Sequence, residues 1–277
     1  PYADAINGRH EDAVRKLKEL GGNLIDFANA HHYFGLHHNA DGTWTFREWA
    51  PNATAITLIG DFSCWQEEAM YALRRGDNGV WVVNLPDEAI RHGDLYKMMV
   101  RWDGGEGQRI PAYATRVVQD SDTAIFSAQV WEPAETYQWS CGNFVPDTKP
   151  LLIYECHIGM AQNREGVGTY SEFREKVLPR IAADGYNAIQ IMAIQEHPYY
   201  GSFGYHVSSF FAASSRFGAP EELKALIDAA HAEGIAVIMD IVHSHAVKNE
   251  VEGLGRPDGR YALDFYGDGR REHPARD

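Results

Sequence analysis

Residues 187–245 read NAIQIMAIQEHPYYGSFGYHVSSFFAASSRFGAPEELKALIDAAHAEGIAVIMDIVHSH, and their order of patterns sets the fold class. AIQIMAI (188–194) and IAVIMDIV (235–242) are near-continuous apolar runs of strand length, the mark of strands buried on both faces. Between them Pro220 opens a helical pattern with Glu221 and Glu222 in its first turn, and Gly234 closes it. Upstream, LLIYECHI (151–158) is a third such run. A helix follows it, announced by Thr169 with Glu172 as a capping box, carrying Phe173, Val177, Leu178 and Ile181, kinked by Pro179 and ending near Gly185. Strand, helix, strand, helix, strand means parallel pairing with helices outside, either in a doubly wound sheet or in a closed barrel. No GxGxxG or P-loop follows any of these strands, which removes the usual evidence for a nucleotide fold. A closed (β/α)8 barrel takes about 250 residues, and about half that number remain from Leu151 onward.

The chain before residue 133 has a different rhythm. His10–Leu20 is a short amphipathic helix stopped by Gly21 and Gly22. From His31 to Trp131 come short runs such as TWTFREWA, AITLIGDF, VWVVNL and LYKMMVRW, several separated by Asp/Asn/Gly turn signals, which predicts an antiparallel sandwich. The division expected is 1–30 helical, 31–132 sandwich and 133–277 βα units, an α+β multidomain chain. Of Trp44, Trp49, Trp65 and Trp81, all candidates for a sugar platform, Trp49 and Trp65 read as the more structural.

The net charge of −14 repels phosphate backbones and anionic lipid, so neither nucleic acid nor membrane is an expected partner. With no apolar run of spanning length and no signal-peptide stretch at the start, the expected location is cytoplasmic. Cys64, Cys141 and Cys156 are far apart in the sequence and read as free thiols.

Ligands of parallel βα folds meet residues at the carboxyl ends of the strands. There lie Glu155 and His157, then Glu196, His197, Tyr199, Tyr200 and Tyr205, then Asp240, His243 and His245. Rings with neutral donors and carboxylates suit sugars. The only carboxylate pairing on offer for glycosidic chemistry is Asp240 with Glu196 or Glu155. The His243/His245 spacing invites a metal, but no further ligand cluster accompanies it, and no metal or cofactor is expected.

IYECHIGM (153–160) and the whole of 177–249, ending in DIVHSHAVKN, closely resemble the branching enzymes of the α-amylase superfamily, the eukaryotic-type subgroup in particular. FREWAPNATAITLIGDFSCW (46–65) resembles the glycogen-binding type of sandwich that precedes their barrel. The resemblance implies that the second part is the incomplete start of a (β/α)8 TIM barrel. It implies that Tyr205 lines the sugar subsite before the cleaved bond, that His245 hydrogen-bonds that glucose's primary hydroxyl, and that Asp240 supports active-site geometry. The family's nucleophile and acid/base would lie on later strands, so no catalytic residue is expected in these 277 residues and the chain is expected to be a fragment. The implied partner is an α-glucan (glycogen, amylose or amylopectin), and the implied reaction moves a chain from an α-1,4 bond to a 6-hydroxyl by double displacement without a cofactor. A non-catalytic α-glucan-binding protein and another α-amylase-superfamily glycoside hydrolase are the alternatives.

Overall fold

A computed structural model describes residues 2–19, 21–146, 150–253 and 258. Helix α1 (Ala3–Glu19) runs further toward the start than the apolar spacing indicated, and buries none of its residues. A single turn, α2 (Leu24–Phe27), follows, with Asn23 Oδ1 accepting the Ile25 amide.

The sandwich then forms from two sheets. One takes β1 (Gly35–His38), β2 (Trp44–Trp49), β4 (Arg74–Arg75) and β5 (Val80–Leu85) in the order β1-β2-β5-β4. The other takes β3 (Ala53–Gly60), β6 (Leu95–Trp102), β8 (Val117–Gln119) and β9 (Phe126–Gln129) in the order β3-β6-β9-β8, with β7 (Gly105–Arg109) also on β6. All these pairings are antiparallel. Alternation along each strand decides what lies between the sheets. Trp44 and Phe46 of β2, Trp81 and Val83 of β5, Ile56 and Leu58 of β3, and Tyr96 and Met98 of β6 form one buried cluster. Burial holds the Tyr96 phenol well above the usual tyrosine range. Trp49 shows the other side of the same alternation. Five residues from Trp44, it falls on the other side of the strand and is 41% exposed, its indole N–H donating to the Asn78 carbonyl.

Downstream, β10 (Ile153–Cys156), β11 (Ala188–Ile191) and β14 (Ala236–Met239) make a parallel sheet in the order β10-β11-β14. The predicted capping box is present at α3 (Tyr170–Glu172), with Thr169 Oγ1 accepting the Glu172 amide at 3.1 Å and the Glu172 carboxylate accepting the Thr169 amide at 3.2 Å. Pro179 acts less as a kink than through the π-turn Phe173–Val177 just before α4 (Leu178–Ala183). The wider turn relaxes the chain where proline has no N–H to give. It also brings Phe173 and Leu178, five apart, onto one buried face with Ile181. Helix α5 (Pro220–Ala232) adds Leu223, Leu226 and Ala230 to the same cluster, packing on Ile189 and Ile191 of the central strand. Leu152, Ile153, Met239 and Ile241, on or beside the two outer strands, are exposed.

Two small antiparallel strands, β12 (Gln195–Glu196) and β13 (Ser209–Ala213), sit in the segment after β11. They face the sandwich: the Phe211 and Tyr113 rings stack at 4.5 Å. The Trp131 indole N–H donates to the Glu221 carboxylate at the start of α5, 3.0 Å away, while the Arg116 guanidinium lies 4.3 Å over the Trp131 ring. The connecting segment is latched by one side chain. The Asp228 carboxylate on α5 accepts the Ser140 amide (2.9 Å), the Cys141 amide (2.8 Å), the Ser140 hydroxyl (2.8 Å) and the Tyr137 hydroxyl (3.1 Å).

Those four donors, the Ser140 amide foremost, hold Asp228 down at about 2 against an ordinary 3.8. A depressed carboxylate contributes stability that is complete above its unfolded value and is lost as pH falls through the folded one. Acid unfolding of the chain is therefore expected to contain a component between about pH 4 and pH 2 that Asp228→Ala removes, with lower stability of the variant at pH 7. An unchanged acid transition in that variant would rule the latch out.

Candidate functional site

The three residues singled out from the resemblance, distant in sequence, meet at the carboxyl end of the parallel sheet. The Tyr205 hydroxyl donates to Asp240 Oδ2 at 2.8 Å, and the His245 ring reaches the Tyr205 carbonyl through Nε2 at 2.6 Å. A carbonyl only accepts, so Nε2 carries the proton and Nδ1 is left to accept the Ser244 hydroxyl, 2.8 Å away. Burial, then the hydrogen bond to Asp240 and that group's charge, push the Tyr205 phenol up to about 12. The phenol is thus a firm donor at any physiological pH.

Each member is aimed by its local backbone. Strand β14 ends at Met239, earlier than the apolar run to Val242 indicated, although the Asp240 amide still donates to the Ile191 carbonyl at 3.0 Å. The chain then diverges from the ladder, and the Gln195 side chain takes over: its Oε1 accepts the Val242 amide at 2.9 Å while its Nε2 donates to the Phe210 carbonyl at 3.1 Å. Tyr205 is delivered by a tight reversal in which Phe203 (φ 54°) and Gly204 (φ 93°) are both left-handed. A Cβ on Gly204 would collide with the Ala193 carbonyl oxygen, so the second position has no room for any other residue. Under this reversal Ala193, Val207 and Val242 form a small buried cluster with Tyr205 and Phe210 packed on it.

Other sequence candidates take different roles. Glu196 is fully buried and spent, its carboxylate accepting the Ser215 amide (2.7 Å), the Ser215 hydroxyl (2.9 Å) and the Ser214 hydroxyl (3.2 Å). Burial nevertheless holds its carboxyl above the usual range. It anchors the β13 segment and is no partner for Asp240 in glycosidic chemistry. Glu155 accepts Gln190 Nε2 at 3.2 Å on the exposed side of β10. His243 and His245 do not act as a pair: His243 leans on Phe210, with centroids 6.1 Å apart, while His245 is turned to Tyr205. Among the described residues no three His, Cys, Asp or Glu side chains gather as metal ligands. His157 is buried among the rings of Tyr200, Phe203 and Phe217. Tyr199 is exposed. Gln195 and Gly204 escaped the sequence reading; a glutamine ending the apolar run IQIMAI was the available signal for the first.

Comparison with known proteins bears on the same two regions. The family model of carbohydrate-binding module 48, the isoamylase N-terminal domain, matches residues 33–114, and that of the α-amylase catalytic domain matches residues 160–264. The 1,4-alpha-glucan-branching enzyme of Yarrowia lipolytica is 44% identical over 98% of the chain, and that of Dictyostelium discoideum 40% identical over 99%. The chain is a homologue of the branching enzymes. It spans 40% and 41% of the length of these two relatives, so the branching-enzyme region in hand is a sandwich and part of a catalytic domain. Arabidopsis thaliana branching enzyme 2-2, named chloroplastic/amyloplastic, is 43% identical over 98% of the chain, which covers 34% of it. Solved structures agree on the architecture. Bacillus acidopullulyticus pullulanase superposes with a TM-score of 0.66 at 19% identity over 82% of this chain and 32% of its own. The catalytic module of the pneumococcal protein SpuA gives 0.63 at 18% over 82% and 39%.

The close approach at Gly204 makes a direct prediction for this branching-enzyme segment. Gly204→Ala combines a left-handed backbone with a main-chain collision and is expected to cost ~2–4 kcal/mol in urea unfolding. It should also release the Tyr205 phenol, whose titration would move below about 12. Native stability in the variant would mean that the reversal is not held as described.

Proposed function

We propose that the chain supplies the sugar-binding side of a 1,4-α-glucan-branching enzyme, acting on α-glucans of the glycogen, amylose and amylopectin class. The observation that carries this is the contact of Tyr205 with both Asp240 and His245, at the strand ends where ligands of parallel βα folds bind. The Tyr205 ring offers an apolar face to the C–H side of a glucose unit. His245, its Nε2 proton committed to the Tyr205 carbonyl, presents Nδ1 as an acceptor, and a primary hydroxyl of the sugar takes the place of Ser244 there. Asp240 fixes the phenol through one carboxylate oxygen and leaves the other for a cation or sugar hydroxyl.

The branching reaction in this reading is a double displacement. One carboxylate attacks the anomeric carbon of an α-1,4-linked unit while an acid protonates the leaving 4-oxygen. The glycosyl ester is then opened by the 6-hydroxyl of an acceptor chain, which gives its proton to the same acid/base. The residues of this chain bind and orient; nucleophile and acid/base are assigned to other parts of the family's catalytic domain. No helix among the described residues is long and apolar enough to cross a membrane.

Maltotetraose titrated into the chain should bind, and Tyr205→Ala should weaken that binding about tenfold or more, the value of a lost ring face and its packing. His245→Ala should weaken it by a smaller factor, in keeping with one lost hydrogen bond. If maltotetraose binds equally well to both variants, the cluster is not the sugar subsite, and an α-glucan-binding role centred on the sandwich becomes the account to pursue.

A further inference from the structure

Resting on that reading of the site, we infer that Gln195 is a positioning residue: its side-chain amide sets the Asp240–His245 segment against the Tyr205 segment without itself meeting the sugar. Beyond Asp240 the third parallel strand has left its ladder, and a main-chain donor at Val242 needs an acceptor in a place where no strand runs. Gln195 Oε1 supplies it at 2.9 Å, and Nε2 of the same amide holds the Phe210 carbonyl at 3.1 Å. The residue is 5% exposed, so water is a poor substitute for either partner.

The amide has one workable orientation. Turned over, it would set its NH2 against the Val242 N–H and its oxygen against the Phe210 carbonyl, like against like on both sides. The Gln195 backbone is fixed as well, since its carbonyl accepts His197 Nδ1 at 2.9 Å, and that imidazole is fully buried. Three segments therefore converge on one side chain and its own main chain. Val242 stands two residues after Asp240 and three before His245, and Phe210 stands five after Tyr205. A shift of either segment along the other alters both the phenol to carboxylate contact and the imidazole to carbonyl contact that define the subsite. A hydrocarbon of equal size would fill the space and set no register.

The test uses the 277-residue chain with Gln195→Leu and Gln195→Glu, reading amide hydrogen exchange at Val242 and affinity for maltotetraose. In Gln195→Leu, with native circular dichroism, Val242 exchange should accelerate at least about tenfold and affinity should fall by a similar factor. Gln195→Glu keeps the acceptor for Val242 but, ionised at pH 7.5, has no donor for Phe210. Once protonated near pH 5, within reach because burial raises a carboxyl pKa, it has an O–H for Phe210 and a C=O for Val242. Affinity should then return toward the native value in that single variant, with the native chain run in parallel to show what pH alone does. This pH rescue does not depend on whether the leucine variant folds.

Unchanged Val242 protection in Gln195→Leu would overturn the inference, as would faster exchange there with native affinity, or native affinity of Gln195→Glu at pH 7.5. Failure of the underlying reading looks different: the native chain itself would not bind maltotetraose. Val242 exchange and the Tyr205 phenol titration, which is raised in part by the Asp240 contact, would then decide whether Gln195 sets the geometry.

Discussion

Parallel strands cannot be joined by a tight turn; each return has to cross the sheet, and here each crossing is a helix. Every outgoing loop consequently leaves from the same edge. That constraint gathers Tyr205, Asp240 and His245, which come from two different crossings, into one contact. It also explains why the polar residues that matter most lie just past the last ladder bond of a strand. There the backbone has stopped satisfying itself, and side chains such as Gln195 and Glu196 take over.

The sandwich takes part in the same arrangement. The long segment between β11 and α5 is pinned from outside by the Tyr113–Phe211 stack and at its far end by Trp131 and Arg116. From inside it is pinned by a buried carboxylate that collects three donors from Ser214 and Ser215. Burial raises its pKa, and those donors, with the cationic Arg216 nearby, work against that rise by favouring the ionised form. Phe210 and Phe211 divide the work, one turned to the small cluster beneath Tyr205 and the other to the sandwich.

Much of this was legible in the residues. Apolar runs bounded by Thr169, Gly185, Pro220 and Gly234 were enough to order the strands and helices, because caps and breakers act locally. The association of Tyr205 with Asp240 and His245 came from resemblance, since nothing in spacing alone brings residue 205 to residue 240. What stayed hidden was what depends on pairing partners. Glu196 and Glu155 look alike on paper as strand-end carboxylates, and only the serines around the first reveal it as an anchor. That Trp44 turns inward and Trp49 outward was hidden as well, because a short strand gives little warning of where its alternation starts. Asp228 was one more acid on a helix until the connecting segment folded back to meet it.

The π-turn at Phe173–Val177 makes one helix out of two halves that are out of phase. Each half presents its own buried side, Phe173 from the first and Leu178 with Ile181 from the second, and the extra residue of the wide turn brings the two sides into line. The count of residues between the capping box and Pro179 is therefore a mechanical setting, like the number of teeth between two meshed gears. Remove one residue to regularise the turn and the second half rotates by about 100°, carrying Leu178 and Ile181 off the sheet while every local preference for helix is still obeyed.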